Sequence, residues 1–522
     1  MERTITLENN RVVIRTPYSV GMTQRIKELY GRVWDRDNTY WHLPAAPMYA
    51  KIAVSFGNEH NFTISGDILK LARFNLNPVV KQDRHLLYPY QGEAVDFIHN
   101  NGFNCINASE CGLGKTIEAL WAIKESPNTT KILIVSPASV IYKWQDEIKK
   151  WLGKDAVVIK TGKDDIDKEN DIFIVSYDLL SNIVNKIDNF RFDLMILDEV
   201  HYISNRSTKR GKAVKNVHTK ARLMLSGTPF LNRPIELWNI LNTLNPYKWA
   251  NYWAFANRYA GATKVKMGYK TFWTVDGATN IPELREILKP IMIRRLKQDV
   301  LKDLPELTRT VMPVDIEMAE YNRAVRDLRK WLQEQGKVTV TPNALSKLNY
   351  LRQLVGKGKV KHAIEFAEDF LTDSDSRKLV IYCHHREVVN EIKLALCKWG
   401  CDTIVGDDSN TKRADTVRRF QEKTLPRVLV ISQAGGEGID LWKADTILFV
   451  ETEWNMAKME QAEGRLHRIG QTNPVNSYKL VANNTIDWKI HLLLQEKGGI
   501  IGSIVGGASI EEIILNQIIK EA

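Results

Sequence analysis

Residues 105–120 read CINASECGLGKTIEAL, which combines a short apolar strand, a loop with two glycines and the start of a helix. Positions 109–116 match the phosphate-loop pattern G-x-x-x-x-G-K-[ST] everywhere except at the first position, where Ser109 replaces glycine. The alternative for this stretch, taken alone, is a glycine-rich turn that contains a lysine by chance. The order of strand, loop and helix predicts a phosphate site.

The residue types in this loop fit the chemistry of phosphate binding. Glycines allow backbone N–H groups to curve around phosphate oxygens, and the helix that follows directs its positive end at the same anion. Lys115 is predicted to reach the β- and γ-phosphates of a nucleotide, and the Thr116 hydroxyl to ligate Mg²⁺. The predicted nucleotide-binding loop therefore comprises Gly112, Leu113, Gly114, Lys115 and Thr116.

Length and composition indicate an ordinary globular protein. The 522 residues predict about three domains, and the chain is 44% hydrophobic and 26% charged. The sequence contains no apolar run long enough to span a bilayer, and the segment MERTITLENN lacks the apolar core of a signal peptide. We therefore expect no membrane partner, and a cytoplasmic location in a bacterium or a phage-infected cell, or a nuclear one if the source is eukaryotic.

The net charge favours a polyanionic partner, and the cysteine spacing argues against a zinc site. The net charge of +11 suits a polyanionic partner, although it is spread over a long chain. The five cysteines lack the paired spacing of a zinc site, and their odd number and scatter fit reduced thiols better than a disulfide framework.

Residues 1–80 predict a small α+β domain. The segment TITLENNRVVIRT alternates as two short strands around a turn would, and a helix, two tryptophans and a second helix follow it. Arg36 and Trp41 belong to a run that mixes cations with aromatic rings, which suits nucleic acid. The alternative is that Trp34 and Trp41 form the core of the domain.

Between residues 85 and 310, apolar strands alternate with helical stretches. Strands are predicted in FNCINAS, TKILIVSPAS, DIFIVSYDLL, FDLMILDEVH and ARLMLSGTP. Continuous apolar strands of this kind predict a parallel sheet covered on both faces, with ligands at the carboxyl ends of its strands. A mostly helical insertion is predicted at about 231–290. A basic helix with Arg294, Arg295 and Lys297 follows it, and these cations face either phosphate or solvent.

Two acidic residues end the strand in FDLMILDEVH. Asp198 is suited to hold Mg²⁺ through water, and Glu199 to polarise an attacking water molecule. His201 is predicted to couple this position to the turn at 226–229, which reads SGTP and ends the next strand. A lone Asp-Glu pair is weak as a signal, but its place after an apolar strand downstream of a phosphate loop makes it specific.

A second alternating block runs from about 311 to 490 and contains no second phosphate loop. Its strands are predicted in RKLVIYCHHREVV, CDTIVGDDS, PRVLVISQAGGEGIDL and TILFVETEW. Arg465 and Arg468 are spaced as one helical turn, which would put both on one face of a helix. They suit either contact with a γ-phosphate or a surface ion-pair ladder. The remaining segment, 491–522, predicts a glycine-rich hinge and a helix capped by Ser509.

The ordered motifs resemble the Swi/Snf-type branch of the helicase superfamily. The matching segments, which span about 85–490, are YPYQ, SECGLGKT, SPASVIYKWQDEIKKW, DEVH, LSGTP, IMIRRLKQDVLKDLP, SQAGGEGIDL and QAEGRLHRIGQ, and the HRIGQ ending is highly specific. The phrases LNYLRQLVGKGKV and YCHHREVV, with WDRDNTYWHLP near the start, look most like the annealing-helicase (HARP-domain) subgroup. Ser109, Cys111 and Asp440 depart from the residues common in the branch, but none removes a catalytic group.

The resemblance implies two RecA-like lobes with ATP as the substrate nucleotide. It implies that Gln91 reads adenine, that Gly438 and Asp440 approach the ribose, and that Arg465 and Arg468 stabilise the transferred phosphate charge. It further implies double-stranded or branched DNA as the partner, contacted mainly at phosphates. The residues expected to contact DNA are Ser136, Ser176, Gly435, Trp454, Arg36 and Trp41.

The implied function is ATP-dependent translocation on duplex DNA with remodelling of branched DNA in repair, replication or recombination. The same motor could instead displace proteins from DNA, or a catalytically inactive copy could act as a DNA-structure-binding scaffold. An RNA helicase shares the phosphate loop and the acidic motif, but HRIGQ and the 231–310 region disfavour it. The sequence identifies no single-strand-binding or replication protein as a partner.

Overall fold

In the computed structural model of the chain, the described residues are 2–9, 11–29, 32–44, 47–72, 79–164, 169–187, 190–227, 233–267, 270–275, 277–334, 341–374, 376–432, 435–436, 438–454, 456–499 and 510–520. They form two compact units, one of residues 1–110 and 114–295 and the other of residues 111–113 and 296–522. Each unit has its own parallel sheet and its own hydrophobic cores.

The first unit begins with a five-stranded sheet and three helices. Their bounds are β1 Thr4–Glu8, β2 Arg11–Arg15, α1 Val20–Lys27, β3 Val33–Asp35, β4 Tyr40–Pro44, α2 Pro47–Glu59, β5 Thr63–Ile64 and α3 Gly66–Ala72. The strand order is β3-β4-β2-β1-β5, and β1 pairs antiparallel with β2, as the alternating sequence predicts. Apolar residues of β1, β2 and α2, among them Ile5, Val12 and Phe56, form a small core on one face of this sheet.

The main sheet of the first unit has seven strands. The elements are α4 Pro89–Asn100, β6 Cys105–Asn107, α5 Lys115–Lys124, β7 Ile132–Ser136, α6 Ile141–Leu152, β8 Val157–Val158, β9 Ile172–Ser176, α7 Tyr177–Ile183, β10 Phe192–Asp198, α8 Lys209–Asn216, β11 Thr219–Leu225, α9 Ile235–Leu244, α10 Tyr252–Tyr259, β12 Thr263–Met267, β13 Lys270–Thr274, α11 Ile281–Leu288 and β14 Met292–Ile293. The sheet order is β14-β6-β11-β10-β7-β9-β8.

Every strand pair in this sheet is parallel, which confirms the fold predicted from the apolar strands. Strands such as β7 and β10 are apolar without alternation because helices cover both faces, and a separate buried cluster lies on each face. The carboxyl ends of β6, β10 and β11 therefore meet at one edge of the sheet, where the predicted site residues lie.

The prediction of a mostly helical insertion at 231–290 was incomplete. Helices α9, α10 and α11 are present, but β12 and β13 form an antiparallel hairpin in which Thr263 pairs with Thr274. Two five-residue runs rich in Thr, Val, Phe and Trp, separated by two residues that include a glycine, are a hairpin signal. The prediction of a helical insertion followed the helices on both sides and overlooked this signal in a basic and aromatic segment.

The prediction of a basic helix carrying Arg294 and Arg295 was wrong. Both arginines directly follow β14, a strand that pairs with β6 at the edge of the sheet. Arg294 donates to the carbonyl oxygens of Ala108 and Gly227 at 3.4 Å, and Arg295 donates to Glu93 at 2.9 Å. The backbone N–H groups of Ile106 and Ala108 hydrogen-bond to this segment, so its pairing partner, not its composition, makes it extended.

The second unit contains a six-stranded parallel sheet in the order β15-β20-β19-β16-β18-β17. Its elements are α12 Lys297–Val300, β15 Leu307–Val314, α13 Ala319–Glu334, α14 Pro342–Gly358, α15 Val360–Thr372, β16 Leu379–Cys383, α16 Arg386–Ala395, β17 Cys401–Ile404, α17 Asn410–Glu422, β18 Val428–Ser432, β19 Thr446–Phe449, α18 Met456–Glu463, β20 Val475–Ala482, α19 Ile486–Gly499 and α20 Ile510–Lys520. Lys297 is buried in α12 and does not lie on a solvated basic face.

Helices α13, α14, α19 and α20 pack together in a buried cluster beside the second sheet. The predicted last helix is present, whereas its predicted cap Ser509 and the glycine-rich segment 500–509 lie outside the described residues. Within the described ranges, no helix is both long and apolar enough to cross a membrane.

Candidate active site

The predicted phosphate loop connects β6 to α5 at the edge of the first sheet. Gly114 stands immediately before α5 with φ near +90°, a left-handed conformation that favours glycine. A Cβ at this position would also collide with the side chain of Gln91. The backbone conformation thus favours glycine here, and any other residue would also force the Gln91 side chain to shift.

Lys115 is the first residue of α5, and its side chain extends across the loop. Its Nζ donates to the carbonyl oxygen of Ser109 at 2.7 Å and to that of Glu110 at 3.3 Å. The Ser109 hydroxyl is buried and has no hydrogen-bond partner among the described residues. A buried hydroxyl and a lysine that bonds only to loop carbonyls are polar groups that an anion in the loop would satisfy.

Sequence reasoning missed an acid behind the loop. Asn107, at the end of β6, hydrogen-bonds to Glu118 on α5 and accepts from the backbone N–H of Ser109 at 3.1 Å. Burial raises the pKa of Glu118 to about 7. The sequence signal for a buried acid was a charged residue, Glu118, between the apolar residues Ile117 and Ala119 of α5. The Asn107–Glu118 bond ties the strand to the helix and fixes the loop between them.

Gln91 lies beside this loop in the first turn of α4. It is 3% exposed, and its Oε1 accepts from the backbone N–H of Tyr88 at 3.1 Å. The Gln91 side chain contacts Gly114, so the residue predicted to read adenine lies next to the predicted phosphate loop. These two motifs, separated in the sequence by strand β6, are adjacent in the first unit.

Asp198 and Glu199 stand at the carboxyl end of β10. Asp198 Oδ2 accepts from Trp144 Nε1 at 2.8 Å, and Tyr177 donates its hydroxyl to the Asp198 carbonyl at 2.8 Å. Burial and the neighbouring Glu199 carboxylate raise the pKa of Asp198. Glu199 has φ near +49°, and left-handed backbone in a non-glycine residue costs free energy and often marks a functional site.

His201 links the acidic pair to the end of β11, as predicted. Its Nδ1 lies 3.3 Å from Glu199 Oε2 and 3.4 Å from Ser226 Oγ, and Ser226 donates to Glu199 Oε2 at 3.3 Å. The side chains of His201 and Ser226, which follow two adjacent strands, therefore converge on the Glu199 carboxylate. Thr228 and Pro229, from the same predicted turn, lie outside the described residues.

In the second unit, Arg465 and Arg468 do not share a helix face, and this prediction was wrong. Helix α18 ends at Glu463, and the following residues form successive turns in which Leu466 N bonds to Glu463 O. Glu463 holds this exit because it accepts from Arg309 at 2.7 Å and from Ser477 at 2.8 Å. The Glu463 carboxylate is thus bonded to strands β15 and β20, and the chain leaves the helix axis after this residue.

Arg468 and Asp440 form an ion pair within the second unit. Burial lowers the pKa of the Arg468 guanidinium, although Asp440 opposes that shift. The backbone N–H of Leu441 bonds to the Arg465 carbonyl at 2.9 Å, and Gly438 adopts φ near +74°. The unit thus brings together the four residues that the resemblance assigned to the nucleotide: Gly438, Asp440, Arg465 and Arg468.

The second sheet fills one helix N-terminus with its own carboxylate. Helix α16 follows β16, and Glu451 Oε2 accepts from the backbone N–H groups of His384 at 2.6 Å and His385 at 2.9 Å. Glu451 Oε1 also bonds His385 Nδ1. Burial opposes ionisation of Glu451, but its hydrogen bonds with His385 lower its pKa on balance. A Cβ on Gly356 would approach this carboxylate to 2.6 Å, so glycine makes room for it.

Two of the residues predicted to contact DNA are not exposed. Ser136 is fully buried and donates its hydroxyl to the Pro137 carbonyl at 3.3 Å. Gly435 is buried, and a Cβ there would collide with the Ile404 backbone. Both residues pack at strand ends, and their direct contact with DNA stays a prediction. Each was assigned by its motif, which does not report burial.

The other predicted DNA contacts lie at least partly on the surface. Ser176 accepts from Leu179 N at 3.2 Å as the cap of α7, and Trp454 packs under the Arg352 guanidinium at 5.1 Å. Arg36 is exposed, and Trp41 is half-buried with its ring 5.0 Å from that of Trp34. Trp34 is 43% exposed, so the interpretation of both rings as core residues was wrong for Trp34.

Comparison with known proteins gives family matches across both units. The model described as SNF2-related domain matches residues 90–360, and the helicase conserved C-terminal domain matches residues 359–470. The human DNA annealing helicase and endonuclease ZRANB3 is 31% identical over 447 residues, which cover 81% of this chain and 41% of that protein.

Another relative is the SWI/SNF-related matrix-associated actin-dependent regulator of chromatin subfamily A-like protein 1 of Xenopus tropicalis. It is 33% identical over 429 residues, which cover 80% of this chain and 44% of that protein. The chain thus spans less than half the length of these relatives. A solved structure, the Sulfolobus solfataricus SWI2/SNF2 ATPase core in complex with dsDNA, is 25% identical with a TM-score of 0.41, and the match covers 85% of this chain and 97% of that one.

Proposed function

Because the chain belongs to the SNF2-related domain family, we propose that it is an ATP-dependent double-stranded DNA translocase that remodels branched DNA. The remodelling is fork regression, annealing or branch migration, in DNA repair, replication or recombination. The observation that carries the proposal is the convergence of His201 and Ser226 on Glu199, beside the half-buried Asp198. That arrangement suits activation of water for phosphoryl transfer.

The relatives support the substrate class in this proposal. One is named a DNA annealing helicase and endonuclease, and one solved structure of similar sequence is a SWI2/SNF2 ATPase core in complex with dsDNA. Translocation on a duplex would rest mainly on phosphate contacts, which are largely independent of sequence. The proposed contacts are Ser176, Trp454, Arg36 and Trp41 at the surface, and Ser136 and Gly435, which are buried in this structure.

The first unit would bind ATP with Mg²⁺. The fit is supported by the donor set, since Thr116 offers a hydroxyl and Asp198 a carboxylate whose ionised form a cation would stabilise. When bound, Mg²⁺ would neutralise charge on the phosphate oxygens. Lys115 would exchange the loop carbonyls for phosphate oxygens, and the N–H groups that precede α5 would point at the same anion.

Side chains of the chain itself would handle the proton and the transferred charge. Glu199 would accept a proton from the attacking water, with His201 and Ser226 holding the orientation of its carboxylate. Arg465 and Arg468 would stabilise the charge that develops on the phosphate. Asp440 would hold Arg468 in place until a phosphate oxygen replaces it as the partner. Gly438 and Asp440 would also approach the ribose.

The domain roles are part of the same proposal. Residues 1–80 would form a HARP-like module that binds DNA structures, 85–310 the ATP-binding lobe with its insertion, 311–490 the second lobe, and 491–522 a hinge and helix. Leu307 already pairs within the second sheet, which supports an earlier start for that lobe. All five cysteines are free, which supports a cytoplasmic or nuclear compartment that keeps thiols reduced.

The proposal is tested by ATP hydrolysis at one fixed salt concentration, since binding to nucleic acid depends strongly on salt. Rates are compared without nucleic acid and with single-stranded DNA, blunt duplex, forked duplex and RNA. We expect the forked duplex to stimulate hydrolysis most. Equal stimulation by blunt duplex favours displacement of proteins, stimulation by RNA favours an RNA helicase, and no stimulation with ATP still bound favours a scaffold.

Glu199→Gln provides the matched control for that assay. The variant keeps the size of the side chain but removes the proton acceptor, so hydrolysis should fall by about 10²-fold or more while DNA binding is retained. Loss of DNA binding in the same variant would argue that Glu199 supports the fold and not the reaction. Anisotropy of a labelled forked duplex measures that binding at the salt concentration of the hydrolysis assay.

A further inference from the structure

Two exposed tryptophans lie against each other in the insertion of the first unit. Trp253 of α10 is 41% exposed and Trp273 of β13 is 47% exposed, and their rings are 5.1 Å apart at an angle of 49°. Lys264, opposite Trp273 in the hairpin register, holds its Nζ 5.2 Å from the Trp273 ring. Large aromatic rings left in water at a surface are costly unless a partner covers them.

The segment that follows the hairpin is bonded to the end of α10. Gly277 N bonds to Ala260 O at 3.0 Å, and a Cβ on Gly277 would meet that oxygen at 3.2 Å. Thr279 and Asn280 both donate to the Arg258 carbonyl, at 2.7 and 2.8 Å. These bonds tie the exit of the hairpin to α10, the helix that carries Trp253.

The positive charge of the hairpin indicates a negatively charged partner. Residues 263–274 contain Lys264, Lys266 and Lys270 and no aspartate or glutamate. A cationic strand pair next to exposed indole rings matches a chain that carries both anions and flat aromatic groups. Single-stranded nucleic acid has this combination, whereas the bases of an intact duplex are already stacked on one another and leave no free faces for tryptophan.

We propose that Trp253, Trp273 and Lys264 form a stacking platform for unpaired bases at a DNA junction. This inference rests on the proposed function and adds a contact for the single-stranded part of the branched substrate. One or two unpaired bases would stack on the indole rings, and Lys264 would neutralise an adjoining phosphate. The platform would distinguish a fork from a blunt duplex, which has no unpaired base to offer.

The first test compares binding of a fork with a single-stranded arm and binding of a blunt duplex of equal length, by fluorescence anisotropy at fixed salt without nucleotide. Trp273→Ala should weaken fork binding by about 5-fold to 100-fold, the usual range for loss of one stacked base. Trp273→Phe should retain most of the affinity because it keeps an aromatic face. Blunt-duplex affinity should be unchanged.

Tyr350→Ala is the matched control, since Tyr350 is 46% exposed on α14 of the other unit. If Trp273→Ala lowers fork affinity no more than Tyr350→Ala does, or lowers fork and blunt-duplex affinity equally, the platform is rejected. Stimulation of ATP hydrolysis by blunt duplex is measured in the same variants. A wild-type protein that no DNA stimulates would reject the proposed motor, and fork binding would still decide the platform.

A second measurement needs no variant and so does not depend on folding of a mutant. A fork with 5-iodouracil in its single-stranded arm is irradiated with the wild-type protein, and the attached peptide is located by mass spectrometry. An adduct at Trp253 or within 263–274 supports the platform. Adducts found only in other segments overturn it.

Discussion

The two parallel sheets use a helix N-terminus in opposite ways. In the first unit, the loop before α5 has a lysine across it and a buried serine hydroxyl without a partner among the described residues, which supports our proposal of an anion site there. In the second unit, Glu451, just beyond β19, accepts from the backbone N–H groups of His384 and His385 that lead into α16. The approach to the helix thus holds an internal carboxylate in the second unit, whereas we propose an external anion in the first.

A helix N-terminus is open to an external anion where the chain does not place a carboxylate of its own beside it. Backbone N–H groups and the helix dipole favour negative charge in both places. The group of the second unit that we propose for the phosphate is therefore a side chain, Arg468, which pairs with Asp440.

The sharpest test of that division is Arg468→Ala. If the second unit contributes a guanidinium to the reaction, kcat for ATP hydrolysis should fall by about 10³-fold or more, the range known for arginine fingers, with ATP binding retained. Steady-state hydrolysis and equilibrium binding of labelled ATP measure the two quantities. Unchanged turnover would remove the finger role and leave Arg468 as a structural partner of Asp440. Arg468→Lys separates charge from shape, because lysine cannot reproduce the planar fork.

Lys115→Ala tests the other side of the comparison. Removing the ammonium should lower turnover by about 10²-fold to 10³-fold, because a preorganised cation at the transferring phosphate is lost. DNA binding should remain nearly intact, as measured by anisotropy with blunt duplex. Joint loss of DNA binding in Lys115→Ala and Glu199→Gln would indicate that these residues had been assigned to the wrong site.

Glu451→Gln weakens the hydrogen bonds that Glu451 accepts just before α16 in the second unit. The carboxylate accepts charge-assisted hydrogen bonds from two backbone N–H groups and His385, so its loss should cost about 2 kcal/mol of local stability. Amide hydrogen exchange of the peptide 379–395 reports this loss of stability directly. Glu365→Gln, a half-exposed acid on α15, should leave exchange unchanged. Equal exchange in the two variants would show that Glu451 contributes little there.

The pH dependence of stability provides the smallest and most selective test. Because the folded pKa of Glu451 is lowered, its contribution is fully present above the unfolded value of 4.5 and is lost as the pH falls through the folded pKa. The melting temperature of the wild type should therefore approach that of Glu451→Gln as the pH is lowered below about 4.5. A constant difference between the two proteins across that range would contradict the assigned role.

The sequence predicted the parallel sheets and the phosphate loop because these depend on local patterns. Apolar strands without alternation predicted burial on both faces, and the glycines with Lys115 predicted the loop between β6 and α5. It failed for the hairpin at 263–274, where basic composition hid a pairing signal, and for Arg294, whose extended backbone comes from pairing of β14 with β6. Strand pairing joins distant segments, which local composition does not report.

The sequence alone was enough to predict the two α/β lobes, the loop that ends in Lys115, the strand end with Asp198 and Glu199, and the family. The burial of Ser136, the pairing of Arg468 with Asp440, and the bonds of Glu451 before α16 emerged only from the folded chain. The two groups of features differ in range along the chain. Strand and loop patterns are written in neighbouring residues, whereas burial and charge pairing depend on segments that meet only after the sheets have formed.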